Sequence, residues 1–134
     1  MNISEVDKNK IFRKARRIEG LDADEWRMDA CDAIIYRYSY GRNDDFFGWE
    51  VDHIVPKSRL QEKGVPQELI DDLRNLRPLN WRNNASTGDD YPKYKAEIRA
   101  EDGGESNVLR ASNRTVNKAK QEELRSLYSE YLDL

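Results

Sequence analysis

Histidine and cysteine are almost missing from this chain of 134 residues, because each occurs only once, as His53 and Cys31. A single cysteine excludes an internal disulfide. No apolar run approaches the roughly 20 residues that span a bilayer, and the segment that begins at Met1 lacks the apolar core of a signal peptide. There is also no internal repeat and no low-complexity tract. These absences predict a cytoplasmic protein that does not enter a membrane.

Apolar residues are also sparse, so the core must depend in part on aromatic side chains. Hydrophobic residues make up 37% of the chain, and charged residues make up another 37%. Three Trp and seven Tyr residues compensate, since each can bury a large area. The length favours one domain over residues 1–134. The composition therefore predicts a small, highly charged globular domain with a thin core.

The chain has no excess of positive charge: its formal net charge is −3 and its pI is about 5.3. Proteins that bind nucleic acids usually gain affinity by neutralising phosphates, so this balance does not favour such a partner. The distribution of the charges is more informative than their sum.

A basic helix is predicted over residues 4–19. Ser4 and Asp7 have the spacing of a capping box, and Ile11 and Phe12 belong to an apolar face. The other face carries Arg13, Lys14 and Arg17. Such a face indicates either contact with phosphates or an ordinary solvated surface.

The rest of the chain alternates between strand and helix patterns. Residues of alternating polarity, bounded by turn residues, predict strands over 33–40, 46–55 and 75–79. Helical periodicity and helix formers predict helices over 67–73, from about 80 to Gly88, over 93–101 and over 114–133.

Three short segments carry the chemistry. Residues 51–56 read Val-Asp-His-Ile-Val-Pro, residues 75–79 read Asn-Leu-Arg-Pro-Leu, and residues 81–84 read Trp-Arg-Asn-Asn. Imidazole is the side chain best suited to take a proton from water at neutral pH. A carboxylate and an amide oxygen can hold a hard divalent cation beside it. This combination is typical of a metal-assisted phosphodiesterase.

In these segments, over roughly residues 49–90, the chain resembles the HNH endonuclease family. The resemblance implies an α+β fold in which a ββα-metal core, at about 46–91, is wrapped by N- and C-terminal helices. It also implies hydrolysis of phosphodiester bonds in DNA, which leaves 5′-phosphate and 3′-hydroxyl ends. DNA is therefore the expected partner, although the sequence does not distinguish DNA from RNA.

The resemblance assigns a role to each polar residue of the segments. His53 is the expected general base, and Asp52 is the expected first metal ligand. Adjacent strand residues point to opposite faces, so both can reach one phosphate only if the chain bends there. Asn84 is the expected second ligand, with Asn83 as its substitute. Asn75 is expected to bond the backbone of the loop that carries the histidine and so to fix the imidazole.

The chain departs from the family pattern at three places. Gly88 stands where some relatives have a further ligand histidine, and Thr87 stands where many have a lysine. Asn80 and Asn83 stand where several relatives have cysteines of a zinc knuckle, so no structural zinc is expected. Two oxygen ligands without a thiolate favour Mg²⁺ or Mn²⁺ as the cofactor.

Four cations lie close to the segments in sequence and are expected to contact phosphates beside the cut: Lys57, Arg59, Arg77 and Arg82. Two alternatives stay open. The acidic pI and Thr87 suit a DNA-binding module whose nuclease site is degenerate. A toxin-type nuclease that is silenced by a protein partner uses the same residues.

Overall fold

The computed structural model describes residues 3–134 and shows an α+β protein, as predicted. It has five α-helices and three small antiparallel sheets in these residues. No helix in them is both long and apolar enough to cross a membrane. In chain order the elements are α1 Glu5–Phe12, β1 Arg16–Arg17, β2 Trp26–Met28, β3 Ile34–Tyr36, β4 Trp49–His53, α2 Lys57–Glu62, α3 Gln67–Ile70, β5 Leu76–Asn80, α4 Trp81–Thr87, β6 Lys93–Ala100, β7 Asn107–Thr115 and α5 Lys118–Leu127.

The sheets are β1-β2-β3, β4-β5 and β6-β7. In the second sheet Asp52 lies opposite Arg77, and His53 lies opposite Leu76. Helix α4 begins directly after β5, with Asn80 as its N-cap. The predicted strand over 75–79 and the predicted helix from about 80 to Gly88 are therefore confirmed within a residue or two. The identity of β4, β5 and α4 as a ββα-metal core stays a prediction.

Two hydrophobic clusters lie on either side of the β4-β5 sheet. One cluster packs Ile11 and Phe12 of α1 against Trp49 and Leu76. The other joins α2, α3, β5, β6 and α5 around Leu79 and contributors such as Leu60, Ile70, Tyr94, Leu124 and Tyr128. Because side chains alternate along β5, Leu76 and Leu79 serve different clusters. The sheet is thus held on both faces, which fixes the positions of its polar residues.

The predicted N-terminal helix is too long. Ser4 caps it as expected, accepting a hydrogen bond from the Asp7 amide, but α1 ends at Phe12. The chain then turns, because Arg27 donates to the carbonyl oxygens of Arg13 and Ala15 at 3.0 Å each. In a continued helix, these two carbonyl oxygens would instead accept hydrogen bonds from backbone amides four residues later. The following residues form β1 instead of a fourth helical turn.

The predicted helix over 93–101 is wrong, because these residues form strand β6. Its side chains alternate between exposed and buried, with Tyr94, Ala96, Ile98 and Ala100 inside. Pairing with β7 and packing against α4 stabilise the strand more than the helix-forming Lys, Glu and Ala residues favour a helix.

Other predicted elements are shorter in the structure than in the sequence analysis. The strand over 33–40 ends at Tyr36 and continues as a 3₁₀ turn. The strand over 46–55 is limited to β4, and the helix over 67–73 to α3. The C-terminal helix starts at Lys118, behind the N-cap Asn117, because residues 114 and 115 pair in β7.

Candidate active site

Side chains from β4 and α4 meet around a cavity of about 200 Å³, called here the His53 cleft. The chain bends directly after His53, the last residue of β4. This bend lets both adjacent residues of the strand reach the same cavity. The cleft is lined by Val51, Asp52, His53, Pro56, Lys57, Asn84, Gly88 and Asp89. The structure thus brings together the predicted base, both predicted ligands and one predicted phosphate contact.

The imidazole of His53 is held by a carboxylate that the sequence analysis missed. His53 Nε2 lies 2.8 Å from Asp71 Oδ1, and Gln67 donates to the other oxygen of Asp71 at 2.8 Å. Burial by itself raises the pKa of Asp71, but the hydrogen bonds from His53 and Gln67 outweigh it and lower that pKa. An ionised carboxylate only accepts hydrogen bonds, so Nε2 carries the proton and Nδ1 is the basic nitrogen.

Asn75 makes the contact expected of it. It is fully buried, and its Oδ1 accepts a hydrogen bond from the Val55 amide at 2.8 Å. Its Nδ2 donates to the carbonyl oxygens of Val55 and Ile70 at 3.2 and 3.4 Å. The amide therefore ties the loop after His53 to the end of α3, one residue before Asp71. A role in turnover stays a prediction.

Asp52 is more constrained than the sequence analysis expected. Its Oδ2 accepts a hydrogen bond from Arg77 Nε at 2.8 Å, and about nine-tenths of each side chain is buried. Burial raises the pKa of Asp52, and the guanidinium of Arg77 only partly offsets that rise. Within residues 3–134 the second carboxylate oxygen, Oδ1, makes no hydrogen bond. One oxygen of Asp52 therefore remains for a ligand in the cleft.

The two neighbouring asparagines of α4 are clearly distinguished. Asn83 is fully buried and bonds Asp29, Ile98 and the amide of Glu97, so it is a structural residue. Asn84 lines the cleft, and its side-chain amide makes no hydrogen bond to the described residues. The substitute reading, Asn83 as a ligand, is therefore wrong.

The donor set of the cleft fits a hard cation in part. Asp52 Oδ1 and the amide oxygen of Asn84 are available, and the exposed carboxylate of Asp89 lies at the same cavity. Oxygen ligands of this kind suit Mg²⁺ or Mn²⁺, which retain several waters. Among residues 3–134, no group of three or more His, Cys, Asp or Glu side chains is arranged to hold a metal. An ion here would rest on two carboxylates, one amide and water.

The four cations that were predicted to contact phosphates differ in exposure and in the partners they already have. Arg77 is buried against Asp52 and lies 4.6 Å from the Tyr94 ring, so it does not face the cleft, contrary to expectation. Lys57 is exposed at the rim. Arg59 lies over the Tyr91 ring at 6.0 Å. Arg82 pairs with Glu97 at 3.1 Å and stacks on Trp81.

The three cations of the predicted basic helix lie beyond the end of α1, and none lines the cleft. Arg13 is 3.6 Å from Asp24, and Arg17 is exposed in β1. Lys14 donates to the carbonyl oxygens of Leu73 and Leu76, which ties the turn to the start of β5. The prediction that one helix presents all three is therefore wrong, and their contact with phosphates stays a prediction.

Comparison of the chain with protein-family models, with curated proteins and with solved structures finds no match. Functional inference therefore depends on the chemistry of the cleft and of the surrounding surface.

Proposed function

We propose that the chain is a metal-dependent endonuclease of the HNH type that hydrolyses phosphodiester bonds in DNA. The observation that carries this proposal is the His53 cleft. Asp52, His53 and Asn84 line one cavity there. Asp52 and His53 are adjacent in β4, where neighbouring side chains normally point to opposite faces, and Asn84 comes from α4. Two of the three segments that resemble the family, 51–56 and 81–84, contribute residues to its wall.

His53 supplies the base. Its Nε2 faces Asp71, so Nδ1 is the nitrogen that would take a proton from water. As that proton arrives, the imidazolium is stabilised by the carboxylate of Asp71. Asn75 holds the loop after His53, so the ring keeps its direction during turnover.

The remaining residues of the cleft would hold the cation and the substrate. Asp52, Asn84 and Asp89 offer oxygen ligands to Mg²⁺ or Mn²⁺. Such a bound ion stabilises negative charge on the phosphate and on the leaving oxygen. Lys57 at the rim is placed to contact a phosphate next to the cut.

The test is cleavage of supercoiled plasmid by the purified protein with Mg²⁺, Mn²⁺ or a chelator. We expect cleavage with either metal and none with the chelator. His53→Ala should reduce turnover by ~10²–10⁴-fold, the usual size of general-base catalysis. DNA binding and thermal stability should change little, because the ring makes one hydrogen bond at a partly exposed site.

Two controls make the result decisive. Lys63→Gln removes an exposed charge outside the cleft and should cleave at the wild-type rate. The chelator should leave the melting temperature of the protein unchanged, since no structural zinc is proposed. If His53→Ala cleaves as fast as the wild type, the proposed mechanism is wrong.

One observation favours a second candidate, a DNA-binding domain without nuclease activity. Arg77 already neutralises the carboxylate of Asp52, which lowers its value as a metal ligand. In that case the protein would bind DNA but cleave it with none of the metals. Binding and cleavage of one duplex, measured side by side across the metals, separate the two candidates, because only a nuclease gives metal-dependent products while a DNA-binding domain gives binding alone.

A further inference from the structure

A second surface of the molecule is strongly basic. Two cavities, of about 550 and 600 Å³, lie side by side and share Tyr94 and Thr115 in their walls. Together they form what is called here the basic groove, which runs from the turn after α1 along the β6-β7 sheet. Its walls contain six cations, namely Lys14, Arg77, Lys93, Lys95, Arg114 and Lys120.

The groove concentrates positive charge that the overall composition conceals. Its only acidic wall residue is Asp90, so the walls carry a formal charge of +5. The whole chain carries −3, which leaves −8 on all other residues. A polyanion would therefore be attracted to this surface and repelled from most of the rest.

Part of this charge is not neutralised by neighbouring carboxylates. Arg77, Arg114 and Lys120 pair with acids outside the walls. Lys93 and Lys95 are exposed and make no ion pair with the described residues. They lie on the same face of β6, roughly 7 Å apart.

Lys14 adds to the same positive field. Within residues 3–134 its ammonium bonds only carbonyl oxygens, which do not cancel its charge. Burial, and then the positive charge of Lys120, lower the pKa of Lys14. Like-charge repulsion between these two lysines across the first cavity would be relieved by an anion between them.

The groove and the His53 cleft are neighbouring surfaces. Asp90 of the groove wall is next in sequence to Asp89 of the cleft wall, and Ile54 of the groove wall is next to His53. A chain of phosphates bound in the groove would therefore lie beside the residues that are proposed as catalytic. An acidic peptide could also bind the cations of the groove, but the position of the groove beside the cleft would serve no purpose for such a ligand.

We infer that the basic groove, of whose six cations five lie outside the segments that resemble the nuclease family, binds the sugar-phosphate backbone of the DNA substrate beside the cleft. This inference rests on the proposed function for its choice of partner. The binding itself needs neither metal nor catalysis. Contacts of this kind fix the position of the substrate and do not read its sequence.

The test measures binding of a short fluorescent DNA duplex to the whole protein in the presence of a chelator, so that no cleavage occurs. The variant Lys93→Gln/Lys95→Gln removes two exposed cations of the groove. We expect weaker binding and a log-log salt slope that is smaller by about 1.8, at roughly 0.9 per lost phosphate contact. The matched control Lys10→Gln/Lys63→Gln removes two exposed lysines elsewhere and should leave affinity and slope unchanged.

The outcomes separate this inference from the proposed function. If both double variants weaken binding equally, or if poly-glutamate competes as well as DNA at equal charge, the groove is not a nucleic-acid surface. If the groove variant loses affinity and no metal supports cleavage, the groove stands and the nuclease proposal fails. If the wild type cleaves DNA and the groove variant binds and cleaves equally well, the nuclease proposal stands and the groove inference fails.

Discussion

At the scale of single residues, the contact between His53 and Asp71 makes the sharpest prediction. Asp71→Asn keeps the size of the side chain but removes the negative charge 2.8 Å from the imidazole. In the proposed mechanism, the imidazolium formed during turnover then loses its stabilising partner. We expect a lower maximal rate with an unchanged KM for DNA, because the carboxylate contacts His53 and not the substrate. The measurement is the rate of plasmid cleavage as a function of DNA concentration, together with the melting temperature of the variant.

A control on the same helix distinguishes this role from general damage to the fold. Glu68→Gln changes an exposed carboxylate that has no ion pair among the described residues, and its maximal rate and KM should match the wild type. If the rate of Asp71→Asn falls only in proportion to its folded fraction, the carboxylate serves only stability. In the proposed mechanism Asp71 is a positioning residue, because it acts through His53.

The residues of the site were predictable to different degrees. His53 and Asp52 stand out in the sequence because no other histidine competes, and the structure places both at one cavity. The choice between Asn83 and Asn84 depended on which face of α4 turns inward, and that is decided by packing against β6. Asp71 carries no local signal, since only the path of the chain from α3 brings it to the imidazole.

At the scale of elements, the errors have one physical origin. The run from Lys93 to Ala100 contains strong helix formers, yet its apolar residues alternate, and alternation is the strand signal. Local propensity is weak compared with pairing along a whole strand and packing on a helix. The N-terminal helix was overextended for a related reason, since only the tertiary bonds of Arg27 show where it ends.

Helix α5 offers a test of how the elements are held together. Leu124 is fully buried in the larger cluster, and α5 covers the segment that leads from α3 to β5. Leu124→Ala should lower the free energy of unfolding by about 2–5 kcal/mol, measured by urea denaturation. The same substitution at Leu109, which is 68% exposed, should change it by less than about 0.5 kcal/mol. Equal effects of the two substitutions would show that α5 is not docked as described.

At the scale of the whole molecule, charge is segregated rather than balanced. The basic groove lies on one side, and acidic residues dominate elsewhere. Net charge and pI therefore gave a misleading impression of the surface, and only the fold brings cations from five separate parts of the chain together. The sequence could predict that Asp52, His53 and Asn84 lie together, because they stand in a few local segments, but it could not predict the groove.

Asp32 ties two of the three sheets, and its ionisation makes stability depend on pH. One oxygen pairs with Arg16 of β1 at 2.9 Å and the other with Arg114 of β7 at 2.7 Å. Burial alone raises the pKa of Asp32, but these arginines outweigh it and lower that pKa. A lowered pKa in the folded state means stability that is present above the unfolded value of 3.8 and is lost as pH falls through the folded value.

Asp32→Asn tests this directly. Asparagine tolerates the left-handed backbone of this residue, whose φ is 64°, so the turn should be preserved. Because the ion pairs are partly exposed, the variant should lose only about 0.2–1 kcal/mol of unfolding free energy per pair at pH 7. The difference from the wild type should shrink towards zero as the pH falls below 4, since the wild-type carboxylate is then protonated as well. A difference that is the same at pH 7 and pH 3, measured by urea denaturation, would mean that the backbone of the turn, not the charge, joins the two sheets.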